Sequence, residues 1–364
     1  MLIRLLSCHV KMTSRLTPRT IAIFIVVVVG LTFSPEVRAP AAPQDAIYAG
    51  PGMLVAVKGA KLNLTCMGHG SPTVIFESGW GDWAPAWSVV QPKVAGWTRA
   101  CSYDRAGEGF SEGGARPRSA VAMAGELDRA LHRAGIAGPY ILVANGFGSF
   151  PARTFALRYT SDVAGLVLID GDAEDGESPA TAEIDRKRDA AAIVTLRACE
   201  AAIVERKPLP MFASSQGHPP DSCERVFFRG LPEKTFSREL NAKLIAITRG
   251  NSRLYAALIS EMEEMPADIA WLRAHQHALG SRPVRVLVTG QHGIGRAGGR
   301  PNLTSAQKVY EADVTKAQLR WLALSSNERQ IRVAGSGMYV ELDKPDIAMA
   351  AIREVYDESR RRHE

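Results

Sequence analysis

The chain has 364 residues, is 46% hydrophobic and 23% charged, and carries a formal net charge of +6. This is an ordinary globular composition, long enough for one large domain or two small ones around a sizeable core. Arg4, Lys11, Arg15, Arg19 and Arg38 against Glu36 place four of the six net charges in residues 1–38, so the remainder is nearly balanced and carries no nucleic-acid footprint.

The same N-terminal stretch predicts export. Basic residues precede an apolar run from Ile21 to Phe33, and a Pro- and Ala-rich stretch follows from Pro35 to Pro43. The run is shorter than the roughly 20 residues a spanning helix needs and matches the apolar region of a signal peptide. Residues 1–39 read as a signal peptide or an uncleaved N-terminal anchor, with cleavage after Ala39 or after Ala41, and Met12 to Ala39 would form a complete signal by itself. Residues 40–51 read as a linker. The expected location is outside the cytoplasm: periplasmic, secreted or membrane-anchored, with membrane contact only if the N-terminal segment stays uncleaved.

Cysteine usage agrees. Cys66, Cys101, Cys199 and Cys223 remain outside the signal, an even number that suggests two disulfides in an exported chain. Three pairings are open, as are buried free thiols. Cys66–Cys101 would join two predicted strands of one sheet, and Cys199–Cys223 would close a loop inside one insertion, so these two are favoured. No C-x-x-C pair occurs, and neither a metal nor a cofactor is expected.

In chain order, Leu54–Lys58 and Lys61–Cys66 predict a hairpin, Thr73–Glu77 an apolar strand, and Thr98–Tyr103 another ending at Asp104-Arg105. Ser119 to Ala134 has helical spacing, with Val121, Ala124, Leu127 and Leu131 on one face and Gly135 beyond its end. Tyr140–Ala144 is a strand running into a Gly-rich turn, Phe150–Tyr159 a helix, and Val163–Ile169 a continuous apolar run expected of a strand buried on both faces. Val284–Thr289 is the next strand, followed by a helix around Ala306–Leu324, a last strand Ile331–Ala334 and a last helix Pro345–Ser359. Strands separated by helices predict an α/β fold with a doubly wound, mostly parallel sheet. Residues 173–279 break the alternation with charged helices around Glu183–Arg206 and Pro232–Met265, and read as a helical cap inserted into a core of residues 52–172 and 280–364.

Four segments together carry a resemblance to a known family: "SPTVIFESGWGD" at 71–82, "CSYDRAGEGFSEGG" at 101–114, "GPYILVANGFGSFPAR" at 138–153 and "GSGMYVELDKPDIAMAAIREV" at 335–355. The chain resembles exported bacterial members of the α/β-hydrolase superfamily over roughly residues 52–358. The resemblance implies a nucleophile in a G-x-S-x-G elbow between a strand and a helix, where small flanking residues permit the tight turn. Here the elbow is Ala144-Asn145-Gly146-Phe147-Gly148, and its central position is Gly146, which has no side chain to attack a carbonyl and tolerates a positive φ. The implied base is a histidine in a G-S-G-H-Y-like loop, and here that position is Met338, which cannot accept a proton but packs against varied apolar shapes.

The implied acid normally follows the Val284–Thr289 strand, but residues 290–301 contain no Asp or Glu, leaving Asp170 as the remnant acid, with Asp172 beside it. A turn or helix-capping role suits Asp170 equally. The backbone N–H groups of Phe147 and Trp80 are implied as an oxyanion hole, which needs no particular side chain. Ser149, His292 and Ser336 are the rescue candidates for a relocated catalytic group. Tyr103, Asp104 and Arg105 are expected to organise a turn beside the pocket, and Trp80, Trp83 and Trp87 to pack a loop and short helix on the sheet or to line the pocket mouth.

The leading expectation is a member lacking Ser-His-acid hydrolysis that binds a small apolar or acyl-bearing ligand or a protein partner. The alternatives are a weak ester or amide hydrolase with relocated groups, and a structural or interaction protein with a filled pocket.

Overall fold

The computed structural model describes residues 45–172, 178–212, 221–223, 235–292 and 302–361. The predicted signal segment lies outside the described residues, as do the first residues of the predicted Pro232–Met265 helix. No helix among the described residues is long and apolar enough to cross a membrane.

The architecture follows from two periodicities. Strands β3 (Thr73–Glu77), β5 (Tyr140–Asn145) and β6 (Val163–Ile169) are buried along their whole length. Alternate residues point to opposite faces of a strand. Ile75, Leu142, Ala144, Leu166 and Leu168 accordingly join one core layer with Leu127 and Leu131 of helix α2 (Ala120–Arg133) and Phe155 of helix α3 (Ser149–Arg158). Val74, Phe76, Ile141, Val143, Val167 and Ile169 join the opposite layer with Trp87, Val90 and Val94, the last from the short helix α1 (Gln91–Val94).

With β1 (Met53–Val57), β2 (Ala60–Met67), β4 (Ala100–Asp104), β9 (Val284–Val288) and β10 (Glu328–Arg332), these strands form an eight-stranded sheet in the order β1-β2-β4-β3-β5-β6-β9-β10. Pairing is antiparallel for β1·β2 and β2·β4 and parallel elsewhere in the sheet. The remaining strands, β7 (Met211–Phe212) and β8 (Asp221–Ser222), form a separate two-residue ribbon.

Between β6 and β9 the described chain forms helices α4 (Pro179–Val204), α5 (Arg238–Gly250) and α6 (Ser252–His275). After β9 come α7 (Ser305–Gln318), the short α8 (Val340–Asp343) and α9 (Pro345–Arg361). Ser119 caps α2 by accepting from Ala122 N–H, and Thr304 and Gln307 form a capping box on α7.

Three expectations are corrected. The last strand begins at Glu328, not Ile331, and pairs in parallel register with β9 through Glu328↔Val284. It is an edge strand bonded on one side only, with half-exposed polar side chains, so no apolar run marks it. The predicted Pro232–Met265 helix is two helices that part at Asn251, whose φ −114 and ψ 90 leave the helical region; the second continues through Pro266 to His275. The strand predicted from Thr98 begins at Ala100.

Both expected disulfides are present. Cys66 and Cys101 face each other in register on adjacent strands, and Cys199 on α4 bonds Cys223. Such pairs are commonest in chains that fold in an oxidising environment. The second closes a separation of 24 residues within the insertion. Replacing Cys199 and Cys223 together with Ser is expected to lower stability by about 3 kcal/mol, measured by denaturant unfolding under non-reducing conditions.

Candidate functional site

The turn after β5 retains the geometry of an elbow. Asn145 is extended, Gly146 has φ +50, a single 3-10 turn spans Gly146–Gly148, and α3 begins at Ser149. The two glycines serve different ends. A Cβ on Gly148 would lie 2.6 Å from the Ser78 carbonyl oxygen and 2.7 Å from that of Glu77, so only glycine lets α3 start this close to β3. A Cβ on Gly146 would meet nothing nearer than Met338 Cε at 3.7 Å and Gly79 Cα at 3.9 Å, both ordinary contacts. The two positions named from the sequence as nucleophile and base thus face each other. The segment bearing Trp80 lies against the same point.

The Met338 loop is fixed by hydrogen bonds that the methionine side chain does not make. Gly335 turns the chain at φ +68. Ser336 Oγ donates to the Gly337 carbonyl at 2.9 Å and to Asp343 at 3.2 Å, and Gly337 N–H donates to Asp343 at 2.9 Å. Asn145 Nδ2 donates to the Met338 carbonyl at 2.7 Å and approaches the Ile169 carbonyl at 3.4 Å. Asn145 therefore ties together the loops after β5, β6 and β10, a role its place beside Gly146 did not reveal.

Asp170 follows β6 with φ +44, and its carboxylate accepts from Thr289 Oγ1 at 3.1 Å. Its remaining neighbour of note is His292, whose Nδ1 lies 3.4 Å from Asp170 and whose Nε2 lies 3.0 Å from Asp172. His292 N–H also donates to Glu311 at 2.5 Å. Burial opposes charge on this imidazole, but the two carboxylates outweigh it and hold His292 well above its ordinary value. Both ring nitrogens lie near carboxylates, Nε2 the closer of the two, while Nδ1 makes no hydrogen bond. Glu311 is pushed up to about 7, chiefly by burial.

The two rescue serines are likewise occupied. Ser149 is fully buried and its hydroxyl donates to the Asp172 carbonyl at 2.9 Å. Ser336 is engaged with Gly337 and Asp343 as described. Trp83 and Trp87 are buried in the packing layers. Trp80 is half-buried, and its indole N–H donates to the Leu258 carbonyl on α6 at 3.3 Å.

The "SYDRAG" segment organises more than a turn. Asp104 accepts from Ala84 N–H at 3.1 Å, Phe110 N–H at 2.8 Å and Asn63 Nδ2 at 2.9 Å. Arg105, 2% exposed, spends its donors on three carboxylates: Glu77 at 3.0 Å, Glu108 at 2.9 Å and Glu261 of α6 at 3.1 Å. It also donates to the carbonyls of Ser78 at 2.7 Å and Gly79 at 2.8 Å. The Tyr103 hydroxyl donates to Glu77 as well. The guanidinium lies 5.4 Å from the Phe147 ring centroid, which joins this network to the elbow. Glu77, closing an otherwise apolar strand, was the visible signal for it. Glu261 gave none.

A family model for the alpha/beta hydrolase fold matches residues 72–193, which span β3 through the elbow and into α4. This match and the sheet order show the α/β-hydrolase fold. Among solved structures, the Cfl2 protein of Burkholderia cenocepacia superposes with a TM-score of 0.57 at 18% identity, over 83% of this chain and 94% of that one. A thermophilic esterase from Thermogutta terrifontis superposes with a TM-score of 0.55 at 19% identity, over 85% and 98%. At such identities these likenesses establish the fold alone. Among curated relatives, an uncharacterized protein of Schizosaccharomyces pombe is 37% identical over 102 residues, 28% of this chain and 19% of that one. The uncharacterized YbdG of Bacillus subtilis is 30% identical over 129 residues, 35% of this chain and 40% of that one. The chain thus spans between a fifth and two fifths of these relatives' lengths.

The two elbow glycines generate opposite expectations. Gly148→Ala forces a Cβ into two carbonyl oxygens and is expected to cost at least about 3 kcal/mol. Gly146→Ala has room and is expected to cost about 1–2 kcal/mol, the penalty of a left-handed backbone for a residue with a side chain. Paired urea denaturation curves check both.

Proposed function

We propose that this chain is an exported α/β-hydrolase-fold protein without Ser-His-acid hydrolysis, which binds a small apolar or acyl-bearing ligand at the elbow. The observation that carries this reading is the confrontation of Gly146 with Met338: the Cβ position of one is 3.7 Å from the terminal methyl of the other, and neither supplies a nucleophile or a base. A hydroxyl needs a base within hydrogen-bond reach to attack at neutral pH. The engagement of Ser149, Ser336 and His292 in hydrogen bonds and ion pairs of their own supports the same reading.

The positive φ at Gly146 and the closeness of Gly79 support retention of the backbone N–H groups of Phe147 and Trp80 as a carbonyl-binding pair. Such donors work without regard to side-chain identity. The apolar methyl of Met338 beside them favours an uncharged acyl or hydrocarbon group. Helices α4, α5 and α6 are taken as a cap over this site. The two disulfides and the basic, apolar N-terminal segment support export.

One observation favours a second reading, a weak ester or amide hydrolase with relocated groups. His292 lies against Asp170 and Asp172, and Ser149 bonds the carbonyl of the latter. If Asp172 swung away, Nε2 of His292 would become available as a base.

Hydrolysis of p-nitrophenyl acetate and butyrate separates the two. The wild-type chain is expected to show no turnover above buffer, and the Gly146→Ser/Met338→His variant to exceed it by about a hundredfold, the scale of a positioned general base. Wild-type turnover that is lost in both Ser149→Ala and His292→Gln would replace the first reading with the second.

A further inference from the structure

The network on Arg105 spans two parts of the molecule that are remote in sequence. Glu77 ends β3, and Ser78 and Gly79 lead to Trp80. Glu108 lies three residues beyond Arg105. Glu261 belongs to α6, 156 residues away. Arg105, Glu77, Glu108 and Glu261 are all at most 2% exposed. The same helix meets the core at three further polar points: Trp80 Nε1 on the Leu258 carbonyl at 3.3 Å, Arg118 N–H on Ser260 Oγ at 3.1 Å, and Ala120 N–H on Asp268 at 2.8 Å. Helix α6 and the 78–81 segment are therefore held by one set of contacts.

That set carries more acid than base. One guanidinium faces three carboxyls, with Tyr103 on Glu77. A further cation acting on Glu108, Arg118, pairs through one terminal nitrogen with Glu126 at 2.9 Å. Asp268 and Glu264 add further acid from α6 itself. Carboxylates crowded in a dry interior repel strongly, and one of them must keep a proton or move away. Glu77 is anchored by β3 and Glu108 by its short connection to Arg105. Glu261 is the member carried by a helix remote in sequence, α6.

We propose that the docking of α6 on the 77–81 segment is proton-dependent: closed at mildly acidic pH, it loosens as the pH rises, and it carries the backbone around Trp80 with it. Burial first, and then Glu261, raise Glu77 to about 7 against the pull of Arg105 and the Tyr103 hydrogen bond. Glu108 is raised as well, mainly by burial and also by Glu261. Asp268 rises to about 7 by burial, with Glu264 and Glu261 adding to it. A carboxyl whose value is raised in the closed state binds more protons closed than open, so closure is favoured below the ordinary carboxylate range and loses ground as the pH passes from there to about 7. The proposal does not depend on which ligand the elbow binds, or on whether it binds one.

Amide hydrogen exchange of the full chain, corrected for the intrinsic pH dependence of exchange, tests it. Between pH 5.5 and 8.5 the protection of residues 77–83 and 252–268 is expected to fall together by about tenfold or more, the linkage expected for one proton released per opening. Strands β5 and β6 should stay unchanged. Glu261→Gln keeps an oxygen for Arg105 but removes one charge, and is expected to flatten the response. Glu108→Gln makes the same test should the first variant fail to fold. Equal protection at both pH values, an equal loss in β5 and β6, or an undiminished response in the folded Gln variant would each overturn the proposal.

Discussion

The guanidinium of Arg105 is almost fully buried, and so it must be answered chiefly by the protein. Three carboxylates and the carbonyls of Ser78 and Gly79 answer it. Leaving a buried charge without partners costs several kcal/mol, so the segments that supply these partners have little freedom to move independently. The end of β3, the loop after β4 and helix α6 are thereby brought to one point. The segment leading to Trp80 takes its course from that arrangement, and Phe147 at the elbow packs within reach of the same cation.

The elbow beside it is governed by a different constraint. Its backbone demands are steric: Gly148 must lack a Cβ because two carbonyl oxygens occupy the space. A strained turn is easier to keep once its centre is glycine, which accepts φ +50 without penalty. The loop after β10 is fixed by Ser336, Gly337 and Asp343, and its carbonyl at Met338 is fixed by Asn145. None of these contacts involves the side chain at position 338. The scaffold therefore places little demand on the side chain at 338, whereas the positive φ at 146 favours glycine, and a methionine methyl is accommodated where the two meet.

His292 is held between carboxylates. Asp170 and Asp172 bracket its two nitrogens, and Thr289 shares Asp170. The arrangement joins the loop after β6 to the loop after β9, and its charge is balanced by the acids that surround it.

Much of this protein was determined by local pattern. The apolar runs of β5 and β6, the helical spacing from Ser119 and the glycines around Gly146 are set by periodicity and backbone sterics, which act over a few residues. They sufficed to place the sheet and the turn at Gly146, whereas Met338 was singled out by the resemblance of its loop to a family motif. The polar residues of edge strand β10 and the break at Asn251 carried weaker local signals, and their boundaries shifted accordingly. Tertiary structure alone decided which charges meet. Arg105 and Glu261 are 156 residues apart, and Asn145 reaches Met338 across 193. A charged side chain looks the same in sequence whether solvent or a buried partner receives it, because its energy depends on desolvation and on neighbours that only the folded chain assembles.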